Sequence, residues 1–337
     1  MVSLSDLPLN AERHWLDADT IVLDREGRAC RARQHPEASS GGRQAVLRLE
    51  LHGGQSMLAT RGHPLRTRRG WVPLVDLQLS DEVAVLAAWP ARHRGVSALL
   101  AAHLPQRRNR VRTDQHWVQQ RVDPRHARLL GLIAAGGQLQ HAFPERRPAQ
   151  SVILSSLDPA ALDEAQTLAA ALFPTLRPHR RQRHQRWYLH LVDGGAPFQP
   201  HPLRQFLRLC EPDLGFPRRA FALPEHLAEI FAQALLEPAL GGDRPCPEPF
   251  LRYLQLLRAC LGQGSRLTRH GPGWRLRPAA DPPRPDPDLP PLANGEQLGW
   301  SRVRALAAAG QRDVWALTHP TSSGLIANGL LVRPNAA

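Results

Sequence analysis

The stretch that decides the fold runs from Leu58 to Val85 and reads LATRGHPLRTRRGWVPLVDLQLSDEVAV. Val83, Val85 and Ala87 alternate with small or polar residues, and Pro73 and Asp76 bound short apolar runs. An apolar period of two residues, interrupted by turn residues, is typical of short strands joined by tight turns. We therefore predict short antiparallel strands here.

Within this stretch, Thr60 and His63 form a Thr-x-x-His turn, which is followed by Gly70-Trp71-Val72 and a closing run at residues 79–83. This order of features resembles one block of the self-splicing Hint domain of inteins. The resemblance implies that His63 polarises a scissile amide while Thr60 helps to hold the substrate oxygen. Taken alone, a Thr-x-x-His motif more often marks a histidine that caps a turn.

Both ends of the chain extend the resemblance. Leu16–Leu23 (LDADTIVL) is similar to the first intein strand, and the closing intein strands are matched by residues 301–306, 313–318 and 324–332. These matches follow one another in the order of the family. The sequence therefore predicts an all-β Hint domain assembled from both ends of the chain.

The reactive residues of protein splicing are mostly missing. Trp15 stands at the first intein position, where splicing needs a Cys or Ser nucleophile. Asn335 matches the terminal Asn if a one-residue bulge is allowed, and the following Ala336 cannot accept an acyl group. The sequence also leaves almost no flanking segments to join. We expect a vestigial splicing site formed by Thr60, His63 and Asn335, without splicing activity.

A long insertion separates the two Hint-like parts. Leu129–Gly137 (LLGLIAAGG) resembles the LAGLIDADG motif of homing endonucleases, and residues 231–240 (FAQALLEPAL) form a weaker second copy. A helix-like run and a strand containing arginines follow each copy. Gly131 and Ala135, four residues apart, would let two helices approach closely. The resemblance implies an α+β DNA endonuclease domain with pseudo-two-fold duplicated halves, and a monomer because one chain carries both halves.

The catalytic carboxylates of active homing endonucleases are missing from their usual positions in this sequence. In active members each motif helix ends with a carboxylate that holds Mg²⁺ against a scissile phosphate. Gly136 and Ala239 occupy these positions, and the candidate displaced acids are Glu237 and Asp243. We expect no metal and no cofactor, with Mg²⁺ required only if nuclease activity survives. The chain thus resembles a hydrolase whose usual catalytic residues are missing, and whether it is an enzyme stays open.

The charge balance favours nucleic acid as a partner. The chain has 43 Lys+Arg against 30 Asp+Glu, and every one of these cations is arginine. Arginine suits phosphate and guanine contacts through its planar fork. We predict contacts to double-stranded DNA from two clusters, Arg107, Arg108 and Arg110, and Arg177, Arg180, Arg181, Arg183 and Arg186. The alternative is a pair of solvated loops in a protein from a GC-rich genome.

The cysteine spacing and the distribution of apolar residues bear on metal binding, disulfides and cellular location. The four cysteines show no C-x-x-C pair or histidine partner spacing, which indicates neither a zinc site nor a disulfide framework. The N-terminus has no apolar signal core, and no run of about 18 apolar residues occurs. We therefore expect a cytoplasmic protein with no membrane partner.

The predicted architecture is nested. Residues 1–98 and 298–337 form an all-β Hint-like domain, interrupted by an α+β LAGLIDADG-like domain at 99–278, and a proline-rich linker at 279–297 leads back. Three functions stay open: a degenerate, intein-derived, homing-endonuclease-like DNA-binding protein, which we favour; an active DNA endonuclease that uses displaced carboxylates; and a Hint-derived interaction module without enzymatic activity.

Overall fold

The computed structural model describes residues 14–23, 29–89, 123–141, 150–156, 158–174, 176–193, 216, 220–221, 223–236, 248–271, 273–292, 295–318, 324–333 and 335. The chain divides into two compact units. The first unit combines residues 1–92 and 245–337, and the second holds residues 93–244.

Within these residues the strands are β1 (Trp15–Asp17), β2 (Ile21–Leu23), β3 (Ala29–Arg31), β4 (Ala38–Leu51), β5 (Ser56–Ala59), β6 (Pro64–Thr67), β7 (Gly70–Pro73), β8 (Glu82–Ala88), β9 (Gly137–His141), β10 (Gln150–Ser156), β11 (Leu176–Arg183), β12 (Arg186–Asp193), β13 (Ser265–His270), β14 (Gly273–Pro278), β15 (Gln297–Leu317), β16 (Leu325–Ala327) and β17 (Leu330–Val332). The helices are α1 (Pro124–Gly136), α2 (Pro159–Leu172), α3 (Glu225–Leu235) and α4 (Glu248–Cys260). None of these helices is both long and apolar enough to cross a membrane.

The strands predicted for the stretch Leu58–Val85 are confirmed. β6 and β7 pair antiparallel with Leu65 opposite Val72, and β8 follows. β8 differs from the expected alternation because Ala84 and Leu86 are buried as completely as Val83 and Val85. Helix α4 packs against this strand, which explains why both of its faces are covered.

The first unit is built on one large antiparallel sheet of 11 strands. β15 is 21 residues long and links its two parts, since residues 297–302 pair with β8 and residues 303–317 pair with β4. The sheet closes on itself because β1 pairs with both β5 and β15, and β8 pairs with both β15 and β17. The closed sheet surrounds a core that includes Leu47, Leu49, Val83, Val85 and Leu330.

Helix α4 belongs to the first unit although it lies inside the predicted insertion, residues 99–278. Gln255 Nε2 donates to the carbonyl oxygen of Gly54 at 2.9 Å, and Arg252 Nη1 donates to Ser56 Oγ at 3.0 Å. These bonds fix α4 to the turn before β5. The segment after residue 245 therefore packs with the β-rich unit, and the predicted boundary at residue 278 does not coincide with the boundary of a compact unit.

The second unit contains a four-stranded antiparallel sheet, in the order β11-β12-β10-β9, and helix α2 packs against it. Helix α1 carries the first LAGLIDADG-like motif up to Gly136, α3 carries residues 231–235 of the second, and the two helices contact each other. Their closest approach is at Gly131, where an added Cβ would collide with Ala234 and lie 2.6 Å from the carbonyl oxygen of Phe231. The predicted close approach at Gly131 is confirmed.

The predicted duplication is unequal within the described residues. The first motif helix is followed by the four-stranded sheet and α2, whereas the second is followed by α4 and the two-stranded β13–β14 ribbon of the first unit. The structure therefore does not establish a pseudo-two-fold pair of halves.

The helix contact at Gly131 gives a first prediction. Replacing Gly131 with Ala should lower the free energy of unfolding by about 1–2 kcal/mol, because overpacking costs about 1–3 kcal/mol and only part of this is offset by the better helix propensity of Ala. Urea unfolding followed by circular dichroism measures the change. Ala170→Leu on the exposed side of α2 is the control and should alter stability by less than about 0.5 kcal/mol. A Gly131→Ala variant as stable as the parent would contradict this helix packing.

Candidate functional site

The candidate site surrounds the peptide group between His14 and Trp15. On one side, the backbone N–H of Trp15 points to Thr60 Oγ1 at 3.4 Å. On the other side, Asn335 Nδ2 donates to the carbonyl oxygen of His14 at 2.9 Å. Both polar atoms of this peptide group are thus held by side chains. Hydrogen-bond donors at a carbonyl oxygen stabilise the negative charge that develops there when a nucleophile attacks.

Asn335 joins the two ends of the first unit. Its Oδ1 accepts a hydrogen bond from the backbone N–H of His14 at 2.8 Å. The side-chain amide of Asn335 therefore both donates to and accepts from the backbone of His14, as a paired residue of a neighbouring strand does. Its own N–H donates to the carbonyl oxygen of Leu317 at 2.9 Å. Asn335 Nδ2 also lies 3.4 Å from that oxygen. Asn335, which the sequence matches to the terminal Asn if a one-residue bulge is allowed, thus lies beside His14.

The Thr60–His63 turn connects β5 and β6. The backbone N–H of His63 donates to the carbonyl oxygen of Thr60 at 3.1 Å, which closes the turn, and the N–H of Thr60 donates to the carbonyl oxygen of Trp15 at 3.1 Å. The His63 carbonyl oxygen accepts from Leu74 N–H at 2.9 Å. Backbone bonds on both sides thus fix the orientation of His63 toward β1.

His63 lies beside His14, with the ring centroids 5.9 Å apart in an edge-to-face arrangement. Only 2% of His63 is exposed, and neither of its ring nitrogens has a hydrogen-bond partner among the described residues. Burial, and to a smaller extent the neighbouring His14, lower the pKa of His63 to about 3. The pKa of His14 is also lowered, by burial and then by Arg333. Both imidazoles are therefore neutral at pH 7.

Trp15 contributes packing where a nucleophile would be needed. Its indole is 5% exposed, lies directly on Gly41, and forms a small core with Val46, Val314 and Ala316. An indole cannot attack a carbonyl carbon. The site can therefore hold and polarise the peptide group between His14 and Trp15, but the side chain of Trp15 cannot begin an acyl shift.

The second candidate site, at the LAGLIDADG-like helices, is only partly described. Gly136 is the last residue of α1 and brings no carboxylate to the end of this helix. Glu237, Ala239 and Asp243 lie outside the described residues. Within the described part of the chain, no three His, Cys, Asp or Glu side chains come close enough together to hold a metal ion.

The arginine cluster on β11 is divided between the two faces of the sheet. Arg177, Arg181 and Arg183 alternate along the strand and share one exposed face, because successive side chains of a strand point to opposite sides. Arg186 stands opposite Arg183 on β12. Arg180 lies on the other face, toward α2. The predicted cluster Arg107, Arg108 and Arg110 lies outside the described residues.

Arg180 has a structural role. Its Nε donates to Gln166 Oε1 at 2.8 Å, and its Nη2 forms an ion pair with Asp163, which is also on α2. Of the arginines predicted on this strand, Arg180 is thus the one that stabilises the packing of the helix on the sheet. A guanidinium held in this way is not available to a phosphate.

The sequence did not identify His14 as part of the site. Its position directly before Trp15 is the signal that could have identified it, because the peptide bond at which splicing would begin lies between these residues. The pairing of His14 with Asn335 joins residues that are 321 positions apart, and no local pattern indicates it.

No protein-family model matches the chain, and no curated protein matches it. Among solved structures, the Ssp DnaB mini-intein variant M86 is similar over 97% of this chain and 96% of its own, with 8% identity and a TM-score of 0.33. I-DmoI in complex with DNA and Mn is similar over 45% of this chain and 87% of its own, with 13% identity and a TM-score of 0.31.

The neutral, buried His63 makes stability depend on pH. As the pH falls below about 6.5, the unfolded chain protonates this imidazole while the folded protein keeps it neutral until about pH 3, so acid favours unfolding. Such a group lowers the free energy of unfolding by about 1.4 kcal/mol per pH unit within this window. We expect the free energy of unfolding of the His63→Leu variant to depend less steeply on pH between about pH 6 and pH 4. A smaller dependence should remain in this variant because the pKa of His14 is also lowered.

Urea unfolding at several pH values measures this difference, and comparison with the parent removes the contribution of the carboxylates. The matched control is His52→Leu, which changes an exposed imidazole and should leave the slope unchanged. Identical slopes for the parent and the His63→Leu variant would show that His63 is not held neutral in the folded protein.

Proposed function

We propose that the protein is an intein-derived, homing-endonuclease-like DNA-binding protein that neither splices nor cleaves. A β-rich Hint-like unit that keeps the shape of a splice junction and a LAGLIDADG-like unit with an arginine surface together support this proposal. The observation that carries the DNA-binding part is the row Arg177, Arg181 and Arg183, whose side chains have no ion-pair or hydrogen-bond partner among the described residues.

The spacing of the row suits nucleic acid. Arg181 and Arg183, two apart on the strand, are separated by about 6.8 Å, and Arg177 and Arg181, four apart, by about 13 Å, whereas a DNA strand carries one phosphate per about 3.4 Å of helix axis. β11 is the outermost strand of the four-stranded sheet and pairs with β12 from Leu176 opposite Asp193 to Arg183 opposite Arg186. Its arginines Arg177, Arg181 and Arg183 therefore lie on one exposed face at the border of the sheet.

The splicing part of the proposal rests on Trp15. The carbonyl oxygen of His14 and the N–H of Trp15 are held as an acyl shift would require, but no thiol or hydroxyl at position 15 is present to attack. Asn335 also has its side-chain amide bonded to His14, so it must leave this pairing before it can attack its own carbonyl carbon. The polarising groups have therefore persisted without the nucleophile.

This gives a direct test of the site. Between two folded reporter domains, the parent chain should yield no ligated product and no cleavage. In Trp15→Cys, the introduced thiolate should attack the His14 carbonyl carbon, break its bond to the nitrogen of residue 15 and form a thioester. Dithiothreitol should then release the N-terminal reporter, which mass spectrometry detects.

Trp15→Ala is the matched control, since it creates a similar cavity without a nucleophile and should not cleave. Adding His63→Leu or Thr60→Ala to Trp15→Cys should suppress cleavage. A Trp15→Cys variant that is folded by near-ultraviolet circular dichroism and still releases nothing would contradict the assigned junction. A spliced product from the parent chain would overturn the proposal.

Two other functions remain as alternatives. An active endonuclease would have to recruit Glu237 or Asp243 in place of Gly136 and Ala239. Double-strand cleavage with Mg²⁺ that is abolished by Glu237→Gln or Asp243→Asn would favour this alternative. A Hint-derived interaction module would bind no duplex DNA, and its arginine row would be a solvated surface.

The DNA contact is tested through its dependence on salt. The triple variant Arg177→Gln, Arg181→Gln, Arg183→Gln should bind duplex DNA more weakly than the parent, and its logarithmic salt slope should be flatter by about 2–3, since each neutralised phosphate contributes about −0.9. Titrations of a random-sequence duplex at several salt concentrations, followed by fluorescence anisotropy, give both slopes. Arg180→Gln should leave the slope unchanged because this side chain is bonded to α2.

A second triple variant separates contact from net charge. Arg43, Arg302 and Arg304 are exposed on β4 and β15 of the other unit, and their replacement by Gln removes the same charge. This control variant should bind duplex DNA slightly more weakly than the parent, and its logarithmic salt slope should equal that of the parent. Equal slopes for the parent and the β11 variant, or no duplex binding by the parent at about 100 mM salt, would favour the interaction-module alternative.

A further inference from the structure

A cavity of about 160 Å³ lies in the first unit, and the residues that line it include neither His14, Trp15, Thr60 and Asn335 nor the arginines of β11. Its wall is formed by the turn after β1, by β4 and β5, by the start of α4 and by β15. Its lining includes the side chains of Asp17, Arg48, Leu58, Arg252 and Arg312. One water needs about 10–15 Å³ on this measure, so the cavity has room for roughly ten non-hydrogen atoms.

Some of the charges in this cavity are already paired. Arg252 Nη2 bonds Glu248 Oε1 at 2.6 Å, and its Nη1 bonds Ser56 Oγ at 3.0 Å. Asp19 Oδ1 accepts from Arg31 Nη1 at 2.9 Å. These residues hold α4 and the β1–β2 turn in place, and they are part of the scaffold of the cavity.

Three charged groups, those of Asp17, Arg48 and Arg312, form no close ion pair among the described residues. The carboxylate of Asp17 accepts only the backbone N–H of Asp19, at 3.0 Å, and neither Arg48 nor Arg312 forms an ion pair or hydrogen bond through its side chain within the described chain. Burial raises the pKa of Asp17, and Arg312 and Arg252 oppose this rise only in part. A partly buried carboxylate that has no close ion pair gains most from a cation that donates hydrogen bonds.

We propose that this cavity binds a small zwitterion of the α-amino acid class. Its ammonium group binds the carboxylate of Asp17, its carboxylate binds the guanidinium groups of Arg48 and Arg312, and its side chain lies against Leu58 and Pro249. A free phosphate would satisfy the two arginines, but Asp17 would repel it. The zwitterion is the ligand that matches both signs of charge. This inference is independent of DNA binding and of the splice-like site.

Three probes of similar length test the match of charges. L-Norleucine carries both groups, hexanoate lacks the ammonium group, and pentylamine lacks the carboxylate. Isothermal titration of the full chain should show saturable millimolar binding of L-norleucine, with hexanoate, pentylamine and inorganic phosphate each at least about tenfold weaker. Hexanoate or phosphate binding as tightly as L-norleucine would overturn the proposal in favour of a simple anion site.

Two variants locate the binding. Asp17→Asn and Arg312→Gln should each weaken the binding of L-norleucine by about tenfold, because each removes one charge-assisted contact. The controls are Asp313→Asn and Arg304→Gln, exposed neighbours on β15 that do not line the cavity and should bind like the parent. Because Asp17 and Arg312 are not fully buried, these variants are expected to fold, and circular dichroism checks this. Absence of saturable binding to the parent, or equal binding by both cavity variants, would refute the site.

Discussion

The pairing of β15 with its neighbours is the interaction on which the rest of the first unit depends. This strand bonds to β8 near its start and to β4 along most of its length, and β1 pairs with its end through Leu16 opposite Trp315. A strand shared in this way converts two chain segments that are far apart in sequence into one closed sheet. Because the ladder fixes the position of Leu317, it also determines where Asn335 can bond.

The splice-like geometry shows that polarisation and nucleophilic attack are physically separable. The contacts to the peptide group of His14 and Trp15 come from backbone register and from the side chains of Thr60 and Asn335. None of them requires a thiol at residue 15. The indole of Trp15 packs on Gly41 and stabilises the sheet while these hydrogen bonds form around it. The observed geometry is thus compatible with the proposed absence of splicing.

The arginines of β11 illustrate how one strand serves two purposes. The side that faces α2 contributes Leu176 to the core and Arg180 to an ion pair with Asp163. The opposite side leaves Arg177, Arg181 and Arg183 exposed. Stabilisation of the helix-sheet packing and presentation of positive charge therefore alternate along the same strand, and composition alone cannot separate these roles.

The sequence by itself determined the short strands around Thr60 and His63, the close helix approach at Gly131 and the absence of a nucleophile at Trp15, because each depends on local pattern or on the chemistry of one side chain. Only the tertiary structure decided that α4 packs with the β-rich unit, that Arg180 faces α2, and that His14 pairs with Asn335. These outcomes depend on contacts between residues distant in the chain. Strand register and helix docking set such contacts, and neither leaves a periodic signal in the sequence.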